Sequence, residues 1–226
     1  MTILKSLLAG VCATLAVANP LPAPEADQLQ SRQFITDSNE LMAGPCKDVT
    51  LIFTRGSAEI GNMGLVIGPQ LCQALKAQIS PNRVACQGVE GQYVGLIKPN
   101  FLDYNTDPKS IQTAKTTIEE AASKCPNTQI VAGGYSQGSA VIDYAVQELN
   151  SDTRNKLKGV VLFGFTRNKQ DHGQIPGYPQ DKVKVYCAPG DVVCDGILVI
   201  TPSHQVYGVN AGDAADFLAR QVNLPQ

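Results

Sequence analysis

Residues 129–138 read Gln-Ile-Val-Ala-Gly-Gly-Tyr-Ser-Gln-Gly, and beyond them Val141, Ala145 and Leu149 recur on one helical face. A short apolar run, a glycine-flanked serine and an amphipathic helix in direct succession predict strand, sharp turn and helix, with Ser136 on the turn. Gly134-Tyr135-Ser136-Gln137-Gly138 fits G-x-S-x-G, in which the glycines permit the tight reversal that leaves the serine oxygen exposed. The five letters alone are weak, because short glycine and serine strings recur by chance. Their place between strand and helix, in mid-chain, favours a nucleophile over a glycine-rich structural turn.

Outward from this segment, Val49 to Phe53 is an apolar, β-rich run that ends at Thr54-Arg55-Gly56-Ser57, and a helical pattern follows around Leu71, Leu75 and Ile79. Arg83 to Val89 predicts a second strand. Asp107-Pro108 supplies a helix cap and a proline at the first helical position, and Ile111, Ala114, Ile118, Ala121 and Ala122 keep helical spacing up to Cys125. Leu157 to Phe165 is almost continuously apolar, as in a strand covered on both faces. Val183 to Tyr186 predicts the last strand, and a final helix is expected from Asp213 to Val222 with Phe217, Leu218 and Val222 inward. Strands alternating with helices imply a parallel sheet covered on both sides, with ligands bound outside the carboxyl ends of the strands.

A serine hydroxyl at neutral pH needs a base to take its proton and a carboxylate to hold that base in one tautomer. The chain has two histidines, His172 and His204. In the order Ser, acid, His, His204 is correctly placed; His172 lies in a polar loop and reads as a solvated surface residue. The acid is expected in the loop after the last strand, Cys187-Ala188-Pro189-Gly190-Asp191-Val192-Val193-Cys194. Asp191 lies between the two cysteines, which could close a small ring around it; Asp195, just outside, is the alternative. An oxyanion needs preset donors. One is the backbone N–H of Gln137, and a second is expected from the loop after the first strand, where Ser57 could donate or could instead cap a helix.

The N-terminus carries Lys5, an apolar run from Leu7 to Val17 and the small-residue site Ala16-Val17-Ala18. This reads as a signal peptide, residues 1–18, removed on export. The run falls short of the about 20 apolar residues of a spanning helix. Residues 19–32, rich in Pro, Gln and acidic side chains, read as a pro-segment, leaving a single domain at 33–226. A formal net charge of -2 and the absence of a Lys/Arg run argue against a nucleic-acid partner. Cys12 leaves with the signal; the remaining Cys46, Cys72, Cys86, Cys125, Cys187 and Cys194 imply disulfides in an exported chain, with the pairing left open. Their spacing lacks the C-x-x-C pairs of a zinc site. No N-x-Ser/Thr glycosylation site is present.

Arg55-Gly56-Ser57-Ala58-Glu59, Gly133 to Gly138, Cys187 to Gly196 and Thr201-Pro202-Ser203-His204, in that order, resemble the fungal cutinase family from about Cys46 to the end. The resemblance implies a lidless, single-domain α/β-hydrolase: a central, mostly parallel sheet of five strands between helices, a three-layer α/β/α sandwich. It implies a triad of Ser136, Asp191 and His204, choosing Asp191 over Asp195, and an oxyanion hole of Ser57 and Gln137, choosing donor over cap. It further implies disulfides Cys46–Cys125, Cys72–Cys86 and Cys187–Cys194, and acyl binding by Leu96, Ile97, Leu198 and Ile200, whose competing reading is ordinary core. The loop Gly95 to Asp107 departs from the family in being polar and aromatic in its second half, with Phe101 and Tyr104 added.

The function expected is that of a secreted, extracellular serine esterase, a monomer without metal or cofactor, acting on cutin polyester and short- to medium-chain acyl esters. An acetylxylan esterase of the same fold is the neighbouring reading. A non-catalytic wall-binding protein is the reading from another class.

Overall fold

The alternation of strand and helix builds one five-stranded sheet, all parallel, in the order β2-β1-β3-β4-β5. Its strands are β1 (Val49–Thr54), β2 (Val84–Gly88), β3 (Gln129–Tyr135), β4 (Leu157–Phe163) and β5 (Val183–Tyr186). These come from a computed structural model that describes residues 35–224. The segments read as signal peptide and pro-segment, with Cys12, lie outside the described residues.

Period-two alternation divides the strands between two cores. Leu51 and Phe53 of β1, Val131 of β3 and Val161 and Phe163 of β4 face α2 (Gly68–Ile79) and α6 (Ala211–Gln221), meeting Leu71, Leu75, Ala214 and Leu218. Ile52, Ile130, Ala132, Val160 and Leu162 face α3 (Pro108–Lys124) and α4 (Gln137–Gln147), meeting Ile111, Ile118, Val141 and Ile142. The sheet is thus buried on both sides, as the unbroken apolar runs require. From β1 the chain crosses to β2 on one side and then to β3 on the other, so the connections diverge at the carboxyl ends of β1 and β3. A ligand crevice opens at such a point.

The elements differ from the sequence reading in particulars. β3 runs on to Tyr135, through Gly133 and Gly134, because both glycines pair with the neighbouring strands. β4 stops at Phe163 rather than Phe165, since Gly164 turns the chain at φ 52°. Helix α6 starts at Ala211, and Phe217 is half-buried at its edge, with the Lys184 ammonium 5.9 Å from its ring centroid, rather than inside the core. Two short helices have no apolar period to announce them. Helix α1 (Glu40–Ala43) is pinned by Leu41 and by Glu40, which accepts from Lys76 and from the Cys86 N–H. Helix α5 (Ser151–Lys156) is capped by Asn150, which accepts from the Thr153 N–H at 2.9 Å. The start of α3 is as read: Asp107 accepts from the N–H groups of Lys109 and Ser110, and Pro108 follows.

Disulfides join Cys46 to Cys125, Cys72 to Cys86 and Cys187 to Cys194. The first fastens the approach to β1 to the end of α3, the second α2 to β2, and the third closes the loop after β5. Among the described residues no helix is long and apolar enough to cross a membrane.

One buried carboxyl stands out beneath the sheet. Asp143 of α4 is fully buried and its Oδ1 accepts from Gln147 Nε2 at 3.0 Å. Its Oδ2 finds no donor among the described residues, and the group that faces it is Asp171. Arg167 belongs to Asp171, through an Nε to Oδ2 bond of 2.8 Å. Burial, then the Asp171 charge, pushes the Asp143 carboxyl up to about 8, against smaller opposing effects of Gln147 and Arg167. The pair fits when Asp143 keeps its proton and donates it to Asp171.

The folded pKa lies above the unfolded one, so the folded state holds the proton more tightly, and stability falls as pH rises from about 4 toward about 8. Asn mimics the protonated acid and escapes this loss. The melting temperature of Asp143→Asn relative to the parent chain is therefore expected to rise between pH 4 and pH 8, followed by calorimetry at both; a difference that stays flat contradicts it.

Candidate active site

The turn after β3 is dictated by contact between backbones. A β-carbon on Gly138 would sit 2.1 Å from the carbonyl oxygen of Thr54 and 2.4 Å from that of Arg55; one on Gly134 would sit 2.3 Å from the oxygen of Gly138. Only glycine lets α4 begin this close to the end of β1. Ser136 between them is held at φ 53°, ψ -124°, outside the regions L-residues favour, at a cost of about 1–3 kcal/mol. Its N–H bonds the Phe163 carbonyl at 2.9 Å, and its own carbonyl accepts from the Ser139 hydroxyl. Both bonds hold the strained residue so that its side chain leaves the sheet.

His204 arrives on a short 3₁₀ turn, Pro202–Gln205, and is buried. Its Nε2 lies 2.9 Å from Ser136 Oγ and its Nδ1 lies 2.8 Å from Asp191 Oδ2. A carboxylate only accepts, so Nδ1 carries the proton and Nε2 is free to accept from the serine hydroxyl. Asp191 is itself buried, at the start of the turn Val192–Asp195, and its Oδ1 accepts from the Val193 N–H at 3.1 Å. Tyr207 donates to the Oδ2 that also holds His204. Tyr135, the variable residue before the serine, donates to the His204 carbonyl at 2.7 Å and lays its ring beside the imidazole, centroids 5.0 Å apart.

Ser57 stands in the loop after β1 and caps no helix, since α2 begins only at Gly68. Its Oγ accepts from Asn100 Nδ2 at 2.8 Å, which leaves the hydroxyl proton to point elsewhere. Gln137 opens α4, so its N–H is among those without an intrahelical acceptor. The loop of Ser57 depends on Glu59. Its carboxylate accepts from the N–H of Gly56 at 2.7 Å, of Leu65 at 2.7 Å and of Val66 at 2.8 Å, closing a turn that holds Ala58 at φ 60°. The Gln137 amide donates to the Leu96 carbonyl at 2.8 Å, and Asn100 Nδ2 also donates to that of Ile97. These bonds tie the loop after β2 to both the elbow and the β1 loop.

Leu96, Ile97 and Ile200 are exposed, at 60, 61 and 58 %, and Leu198 is half-buried, so none of the four is ordinary core. Val199, Ile197, Phe101 and Leu102 add further exposed apolar side chains to the same two loops. Tyr104 instead packs on Tyr144 of α4, centroids 4.5 Å apart with the rings tilted by 40°, and Arg167 bonds the Asp103 carbonyl at 2.8 Å, so Asp103 and Tyr104 anchor the far end of the loop Gly95 to Asp107. His172 is exposed, and Asp195 is exposed and makes no bond to His204. Four residues had no role assigned from the sequence: Glu59, Asn100, Tyr135 and Tyr207. Glu59 and Tyr135 carried a signal, by their places inside the Arg55–Glu59 and Gly133–Gly138 motifs.

A strained serine between strand and helix, at the switch point of an all-parallel sheet, with a histidine and an aspartate in line, defines the α/β-hydrolase fold. Residues 45–222 match the family model described as Cutinase, and the chain belongs to that family. It is 64% identical over 225 residues to the Aspergillus niger protein named "Probable cutinase 1", covering 98% of this chain and 86% of that one. It is 57% identical over 219 residues to "Cutinase 3" of Emericella nidulans, covering 97% and 98%. Among solved structures, a Trichoderma reesei cutinase in complex with a phosphonate inhibitor matches with a TM-score of 0.73 at 31% identity, over 84% of this chain and 82% of that one. An acetyl xylan esterase shares the fold, with a TM-score of 0.61 at 18% identity over 79% of this chain and 100% of that one.

Glu59→Gln turns one accepting oxygen into a donor that faces an N–H. Hydrogen bonds to charged groups contribute about 1.5–3 kcal/mol each, so a loss near 2 kcal/mol should lower the melting temperature by about 4–8 °C. Calorimetry checks this, and a melt within about a degree of the parent's would show that the three N–H bonds to Glu59 carry little.

Proposed function

We propose that the chain is a secreted carboxylic ester hydrolase that cleaves cutin-type polyester and short- to medium-chain acyl esters through Ser136, His204 and Asp191. The hydrogen-bonded line from Ser136 Oγ through His204 to Asp191, on a strained elbow, carries this reading. Ser136 Oγ attacks the ester carbonyl carbon while His204 Nε2 takes its proton, and the imidazolium is stabilised by Asp191. The Gln137 N–H, with the Ser57 N–H and hydroxyl, receives the oxyanion. Collapse expels the alcohol, which leaves with the proton from His204. Water, deprotonated by the same nitrogen, then attacks the acyl-enzyme, and the acid departs as the Ser136 hydroxyl is restored.

Export is supported by the N-terminal pattern of residues 1–18, with a pro-segment at 19–32 and a catalytic domain at 33–226 acting as a monomer. The acyl chain lies between Leu96 and Ile97 on one loop and Leu198 and Ile200 on the other. Exposed apolar side chains flanking a serine favour acyl chains longer than acetyl, because an acetyl group has little to bury against them. Each added methylene that reaches this surface is worth up to about 0.8 kcal/mol, or about fourfold in kcat/KM. Acetyl esters should therefore be the poorest of a p-nitrophenyl series from acetate to hexanoate; a maximum at acetate would favour the acetylxylan esterase reading instead.

Ser136→Ala is expected to lower kcat on p-nitrophenyl butyrate by about 10⁴-fold or more with the fold intact, and to block labelling by a serine-directed phosphonate. Parent-like rates in that variant would refute the mechanism. The Cys187–Cys194 bond, with a sequence separation of 7, closes a shorter loop than the other two bonds and contributes the least to global stability, about 2–3 kcal/mol. Its main effect is to hold Asp191. Selective reduction should cost activity before the near-UV circular dichroism changes, whereas simultaneous loss of both would assign the bond to overall stability.

A further inference from the structure

Tyr207 lies three residues beyond His204 and is fully buried. Its hydroxyl accepts from the Ala188 N–H at 3.1 Å and donates to Asp191 Oδ2, the oxygen that also accepts from His204 Nδ1. The ring stands edge-on to the imidazole, perpendicular at 90° with centroids 6.2 Å apart. Ala188 belongs to the loop that carries Asp191. The phenol therefore joins three parts of the site: the acid, the acid's loop and the segment after the base. Burial, and then the hydrogen bond to Asp191, pushes the Tyr207 phenol well above its ordinary range, so it remains a neutral donor wherever the enzyme works.

The other titratable groups that face this pair are few. Tyr135 approaches from β3, with its phenol also raised by burial and bonded to the His204 carbonyl rather than to the ring. Asp195, at the far end of the same turn, is exposed. Asp191 thus has three donors: the Val193 N–H on Oδ1, and the Tyr207 hydroxyl and His204 Nδ1–H together on Oδ2.

We propose that Tyr207 is a positioning residue that sets the basicity of His204 by sharing the charge of Asp191; the inference rests on the triad reading above. A hydroxyl on Oδ2 draws off part of the negative charge that would otherwise stabilise the imidazolium. Removing the hydroxyl leaves that oxygen to His204 alone, and the histidine then holds its proton to higher pH.

Because His172 is exposed and His204 buried, the two histidines of the chain can be followed separately by NMR titration, with His172 as internal reference. In Tyr207→Phe the His204 midpoint is expected to rise by roughly half a pH unit or more, with the His172 midpoint unchanged. The acid limb of kcat/KM should move by the same amount, and kcat should fall several-fold while KM stays constant. If the phenylalanine variant does not fold, 3-fluorotyrosine placed at position 207 keeps the shape and makes a stronger donor, and the His204 midpoint should then fall. A folded variant with lowered kcat but an unmoved His204 midpoint would make Tyr207 mere packing and overturn the inference. Failure of the triad reading is separate: it would appear as parent-like rates in Ser136→Ala.

Discussion

The contact between the start of α4 and the end of β1 governs the rest of the molecule's working end. Gly138 lies so close to the Thr54 and Arg55 carbonyls that no side chain fits between them. That closeness fixes the direction of α4, and with it the turn at Ser136. It also places the oxyanion candidates on two adjoining segments, the first residue of α4 and the loop that leaves β1. The strain at Ser136 is compatible with folding because the sheet over-determines it: β3 is paired on both sides, and the serine N–H takes the next strand's last carbonyl.

Around that contact the polar side chains act mainly on backbone. Glu59 satisfies three N–H groups of one loop, Tyr135 holds the His204 carbonyl, and Gln137 and Asn100 hold carbonyls of the loop after β2. Bonds of this kind leave a loop with few alternatives, since releasing any one leaves a part-buried donor or acceptor without its partner. The site therefore rests on loops whose backbone groups are bonded to side chains of neighbouring segments.

How far this could be read from the sequence depended on the range of each signal. Elements with a local apolar signal were legible within a few residues: β1 and β4 as nearly unbroken apolar runs, α2 and α3 by their helical period. The triad candidates were legible for a different reason, scarcity, with two histidines and one motif to arrange in order. Helices α1 and α5 were not, because a helix of four or six residues that buries one side chain has no period. Glu59 and Tyr207 look like any surface glutamate or core tyrosine until the fold brings Glu59 onto the N–H groups of Leu65 and Val66 and sets Tyr207 against an aspartate 16 residues earlier. Asp143 was hidden likewise: its neighbour Asp171 lies beyond a whole strand.

The two apolar loops illustrate how order and exposure can coexist. Leu96, Ile97 and Ile200 face solvent, at a cost the chain could avoid with polar residues. Their backbones are nonetheless fastened: Gln137 to the Leu96 carbonyl, Asn100 to that of Ile97, and Thr201 to that of Gly190 in the Asp191 loop, at 3.0 Å. Arg167 and the Tyr104–Tyr144 pair fix the far end of the first loop against α4. The anchors are polar and inward while the exposed side chains are apolar and outward, so apolar surface is held open beside the serine rather than folding over it. Loops fastened in this way lose little further conformational entropy to any ligand that docks on them, because their backbones are already ordered by these bonds.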